Sequence, residues 1–140
     1  MAIKGSPGRS PNSIAVGWVL LAVFLSSAAL AESKTIIVGY GIFSPWRYGV
    51  SGWKPFRTVQ PGDQLMFKWL GEHDVWRFPT KIAYDNCDFT LATQLHPKTG
   101  IFGAHYFYPV KDIHKGTTLY FGCAVGNHCA RKMKAKVVVS

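Results

Sequence analysis

An all-β domain is what residues 32–140 of this 140-residue chain predict. Short alternating apolar segments recur along them, Gly and Pro stand between those segments, and helical periodicity is weak throughout. Several short strands punctuated in this way suit a sandwich or a Greek-key barrel. Lys34–Gly39 reads as the first strand. Pro61-Gly62-Asp63 signals a turn, after which Gln64–Leu70 alternates with Leu65, Phe67 and Trp69 on one face. Asp74–Phe78 is a short strand, and Tyr84–Thr93 suits either a short helix or a strand. Ala104–Pro109 is aromatic and strand-like. Thr117–Gly122 puts Leu119 and Phe121 on the same face as Cys123. In Lys134–Val139, Ala135, Val137 and Val139 are expected to point inward.

The first thirty-one residues read as a secretory leader and lie outside this fold. Lys4 and Arg9 make a basic start, Ile14–Leu25 is an apolar run of twelve, and Ala29-Leu30-Ala31 fits a cleavage site. The run is shorter than the roughly 20 residues that span a bilayer, so cleavage is expected rather than an uncleaved anchor. The remaining 109 residues are enough for one domain and too few for two. They show neither a repeat nor a glycolipid-anchor signal, which predicts a secreted, soluble, monomeric protein without a membrane anchor. No usable N-x-S/T acceptor is present. Fourteen cations against seven acids leave residues 32–140 at +7, a charge that suits acidic proteins or polyanionic cell-wall polymer as partners or serves solubility alone. Nucleic acid is a poor partner for an exported protein.

Three cysteines are an odd number for an oxidising compartment. Cys87 and Cys129 could pair and leave Cys123 as a lone thiol; Cys123 could equally be an inert buried residue or part of an intermolecular bond. A Cys87–Cys129 bond would close a loop of about 43 residues, worth about 3–4 kcal/mol in the chain-entropy description. The residues around Cys123 favour a metal. Cys123, His128 and Met133 stand at even five-residue steps, and His73 lies about fifty residues upstream. One thiolate, two imidazoles and a weak thioether describe a type 1 copper site, in which Met133 would be the long axial ligand. Asp74 reads equally well as a turn residue or as a tie between the two ligand-bearing loops. His96, His105 and His114 match no ligand spacing.

These segments resemble the phytocyanins, secreted blue copper proteins of plants. Gln60-Pro-Gly-Asp-Gln-Leu-Met-Phe67 is similar to the family's G-D-x-L-x-F stretch, Glu72-His73-Asp74-Val75 to its H-[ND]-V motif, Tyr84-Asp85-Asn86-Cys87 to its Y-D-x-C, and Cys123–Met133 to its C-x4-H-C-x3-M segment. The resemblance covers nearly all of residues 32–140. Met133, the basic charge and the lack of a tail bring the chain nearest the plantacyanin (basic blue protein) branch. It implies a cupredoxin-like Greek-key β-sandwich of seven to eight strands with one or two short helices, one copper ion on His73, Cys123, His128 and Met133, and a Cys87–Cys129 disulfide. There are two departures. The chain has Val125-Gly126-Asn127-His128 where the family has V-P-G-H, and Lys132 where it has Gly before the axial Met.

The function implied is extracellular electron carriage, not enzymatic turnover, since no H-x-H pair exists to build a multinuclear copper cluster. The alternative from another class is a cell-wall or surface interaction or signalling protein in which copper is secondary. A structural zinc site is a weaker third reading, because zinc rarely takes a thioether.

Overall fold

The computed structural model describes residues 1–8 and 32–140. The leader's apolar run and its cleavage site fall outside the described residues. Among the described residues, no helix is long and apolar enough to cross a membrane.

Among the described residues, seven strands form two sheets. Strands β1 (Thr35–Ile37), β2 (Gln64–Trp69) and β5 (Ala104–Pro109) make one sheet in the order β1-β2-β5. Strands β3 (Val75–Phe78), β4 (Thr93–His96), β6 (Thr118–Gly122) and β7 (Lys134–Val138) make the other in the order β4-β3-β6-β7. β1 runs parallel to β2, with Thr35 opposite Gln64, and β2 runs antiparallel to β5 from Gln64↔Pro109 to Trp69↔Ala104. β3 pairs with β6 through Trp76↔Gly122, and β6 with β7 from Thr118↔Val138 to Gly122↔Lys134. The expected all-β sandwich is therefore present.

Strand periodicity explains the core. With every second side chain on one face, Leu65, Phe67 and Trp69 of β2 meet Leu119 and Phe121 of β6 and Ala135 and Val137 of β7, all buried. Trp46, Val50, Trp53 and Val59, from the segment between β1 and β2, complete this core. Phe67 touches Trp46 edge-on, with ring centroids 5.1 Å apart, and Phe121 at 4.9 Å. A smaller cluster of Phe78, Tyr84 and Cys129 lies apart from it.

Two expectations are refined. The first strand stops at Ile37, short of Gly39, which turns at φ +114°; a Cβ there would collide with the Pro45 carbonyl, so the turn needs glycine. The ambiguous Tyr84–Thr93 stretch divides in two. Its start belongs to helix α1 (Lys81–Asn86), and the strand β4 begins only at Thr93. Thr80 caps α1 by accepting the Ala83 N–H at 3.1 Å, and Cys87 ends it in the left-handed conformation at φ +51°.

Candidate metal centre

Both sheets feed one cluster. β2 ends at Trp69, and the short loop to β3 carries His73; β6 ends at Gly122, and the next residue is Cys123. His128 lies on the loop from Cys123 to β7. Two backbone bonds close that loop: Cys123 N–H donates to the Met133 carbonyl (3.1 Å), and Met133 N–H donates to that of His128 (3.0 Å). Cys123 and Met133 are both fully buried in the main core. The middle of the loop is held elsewhere, since Cys129 is disulfide-bonded to Cys87 at the end of α1.

The donor atoms converge. His73 Nδ1 and His128 Nδ1 are 3.1 Å apart, and Cys123 Sγ is 3.4 Å from His128 Nδ1. One ligand atom from each of the three lies within 4.8 Å of the others. A small transition-metal ion holding nitrogens at ~2.0–2.1 Å and a sulfur at ~2.3 Å in tetrahedral geometry would set N···N near about 3.3 Å and N···S near about 3.6 Å. The three groups fit one such ion.

Their electrostatics fit as well. Burial is the main cause lowering the pKa of His73, helped by His128 and opposed by Asp74. Burial and then Arg131 lower that of His128. Both shifts favour the neutral ring, the form that binds a metal. Burial pushes the Cys123 thiol up to about 12, against backbone N–H groups of Asp74 and Val125 that favour the thiolate. A sulfur so placed ionises at neutral pH when a cation binds it.

Asp74 ties the two stretches together. Its carboxylate accepts from Ala124 N–H (2.7 Å), beside Cys123, and from Trp76 Nε1 (2.8 Å), while its carbonyl accepts from Trp46 Nε1 (3.0 Å). Three further residues have no counterpart in the sequence reading. Thr99 Oγ1 accepts from Trp69 Nε1 (2.8 Å) and lies 3.0 Å from the Gly71 carbonyl, and Thr99 N–H donates to that of His73 (3.0 Å), so one threonine pins the His73 loop. Tyr48 packs edge-on against both imidazoles, and Arg131 stacks on Tyr48. No spacing rule marks a lone Thr, Tyr or Arg in a loop. His96, His105 and His114 stand outside the cluster.

A seven-stranded two-sheet sandwich with a His–Cys–His cluster where the loops converge has the architecture of the cupredoxins. No family model matches the chain. A chemocyanin of Lilium longiflorum is 29% identical over 137 residues, covering 95% of this chain and 96% of that protein. Three solved structures share the fold. Cucumber basic protein, a blue copper protein, aligns with TM-score 0.59 at 21% identity, over 76% of this chain and 99% of its own. Cucumber stellacyanin gives 0.60 at 23%, over 77% and 96%. Spinach plantacyanin gives 0.54 at 22%, over 76% and 99%. The fold is theirs, and the resemblance to the phytocyanins is borne out.

Proposed function

We propose that this chain is a secreted type 1 copper protein that carries single electrons and is not an enzyme, with copper held by His73, Cys123 and His128 and with Met133 as the weak axial ligand. The observation that carries this reading is the convergence of two imidazole nitrogens and one buried sulfur within 4.8 Å. Bound copper supplies a one-electron couple: soft sulfur suits Cu(I), and imidazole suits both oxidation states. The rest is the work of the chain. The backbone clasp between Cys123 and Met133 and the Asp74 bonds fix the donors before metal arrives, so a change of oxidation state needs little rearrangement. Full burial of Cys123 and Met133 excludes water from the sulfur side. Met133 fits the axial role because it is buried where the ligand loop closes on Cys123. Export rests on the leader pattern of residues 1–31.

The test is spectroscopic. Protein given Cu(II) should turn intensely blue with one equivalent and bleach with ascorbate. Cys123→Ser should abolish the colour, and Met133→Leu should keep it while raising the reduction potential. A colourless Cu(II) adduct of the unaltered protein would overturn the reading. N-terminal sequencing of the exported chain should start near Glu32.

A further inference from the structure

We infer that Tyr48 and Arg131 form a cationic port over the two imidazoles, through which electrons pass to and from small redox-active anions. This rests on the copper reading above and adds where the electron crosses and what charge of reactant is taken.

The geometry is layered. The Tyr48 ring meets His128 edge-to-face, with centroids 4.9 Å apart and planes at 81°, and meets His73 at 6.1 Å and 85°. The Arg131 guanidinium sits 3.9 Å from the centre of the Tyr48 ring. Tyr48 is 39% exposed and Arg131 is exposed, beside the half-buried rings of His73 and His128, so a reactant that reaches the imidazoles meets this pair as well. The layers are anchored together: Gly49 N–H donates to the Arg131 carbonyl (3.3 Å) and Ser51 N–H to the Lys132 carbonyl (3.1 Å). Those bonds tie the Tyr48 segment to the ligand loop, so the stack follows the site rather than drifting from it.

The two segments that supply the stack carry charge of one sign. Residues 39–62 and 124–140 contain seven cations, Arg47, Arg131 and Lys132 among them, and no acid at all. The acids beside His73 are already engaged: Glu72 pairs with Lys98 at 3.2 Å, and the buried Asp74 carboxylate accepts two N–H bonds. A cation at the mouth of a site raises the local concentration of anions and their rate of encounter. Arg on an aromatic face keeps its donors free at the rim of its plane. Tyr48 serves as packed medium between reactant and imidazole and is not itself oxidised. In exchange with hexacyanoferrate(II), the iron gives one electron and becomes iron(III), bound Cu(II) becomes Cu(I), and no bond breaks and no proton moves.

Hexacyanochromate(III), an inert paramagnetic trianion, tests docking without electron transfer. Added to the Cu(I) protein and to the metal-free protein, it should broaden the NMR signals of Tyr48, Arg131 and His128 first, and Arg131→Gln should weaken that broadening severalfold. The metal-free arm reports on the port even if copper does not bind. Stopped-flow oxidation of the copper protein by hexacyanoferrate(III) and by tris(phenanthroline)cobalt(III) then tests selectivity. Arg131→Gln should slow the anion about three- to tenfold and speed the cation, Arg131→Lys should fall between, and Tyr48→Leu should slow both reagents. Broadening centred on another group of cations, or an unchanged anion-to-cation rate ratio in Arg131→Gln, overturns the proposal.

Discussion

His114 and the pair His73/His128 share one electrostatic signature and use it differently. All three have pKa values below the ordinary imidazole range, with burial as the leading cause. His114 spends both ring nitrogens on the fold: Nδ1 accepts the Lys111 N–H at 2.9 Å, and Nε2 lies 3.3 Å from the Tyr108 hydroxyl. His73 and His128 turn their Nδ1 atoms toward each other, and that of His128 also meets the Cys123 sulfur. A lowered pKa alone therefore does not mark a ligand. Convergence of metal-binding atoms from separate loops does.

The contrast breaks most sharply at the disulfide. Cys129 is next to His128, and its bond to Cys87 spans 42 residues. Replacing both by Ala should cost about 3–4 kcal/mol in denaturant unfolding. It should also shift the NMR signals of His128 while leaving those of His114 in place. A loss below about 1 kcal/mol would mean that the small Phe78–Tyr84 cluster already holds the loop without the bond.

Asp74→Ala comes next. It strands two donors, Ala124 N–H and Trp76 Nε1, and partly buried unpaired groups cost about 1–3 kcal/mol each. We expect about 2–3 kcal/mol of lost stability in denaturant unfolding, less for Asp74→Asn, which keeps one accepting oxygen. The signals of His73 and Cys123 should move and those of His114 should not. Movement of His114 would show that the carboxylate acts on the whole sandwich rather than on the ligand end.

Acid probes the other side of the comparison. Burial, then Arg77 and Lys111, depress the His114 pKa in the folded state. Below about pH 6.5 the unfolded chain takes up the proton first, so this contribution is present above that pH and lost as pH falls toward the folded value. Metal-free protein should melt at lower temperature at pH 5 than at pH 7, and His114→Phe should make that drop smaller. An equal drop in the variant would assign the acid sensitivity to His73 and His128.

Much of this was legible in the sequence. Strand alternation gave β2, β6 and β7 with the right residues inward, because a buried face imposes period two on a strand. The Cys123–Met133 spacing and His73 were legible because a metal needs particular donor atoms, and few residue types offer them. The helix at Lys81–Asn86 was only half legible: its cap, Thr80, precedes the ambiguous stretch, and its end is a cysteine rather than a glycine. Thr99, Tyr48 and Arg131 were not legible. Their roles depend on which loops the two sheets bring together, and any of many loop residues could have stood there.

The smallest expected effect tests the ligand loop's backbone without touching a ring. Lys132 stands where the family has glycine, and it adopts φ +68°, a left-handed conformation that costs an L-residue about 1–2 kcal/mol. Lys132 is exposed, its N–H donates to the Cys129 carbonyl, and its own carbonyl accepts from Ser51, so the turn is held from both sides despite the strain. Lys132→Gly should relieve that strain, and the extra freedom of glycine in the unfolded chain should offset part of the gain. The net change should be a stabilisation of about 0.5–1 kcal/mol, read from the denaturant midpoint of the metal-free protein. Lys132→Ala removes the same charge and keeps the strain, so it separates the two causes. If Ala stabilises as much as Gly, repulsion among Arg131, Lys132 and Lys134 is the source. If only Gly does, the loop carries a strained residue immediately before Met133, while the turn holding His114 contains none.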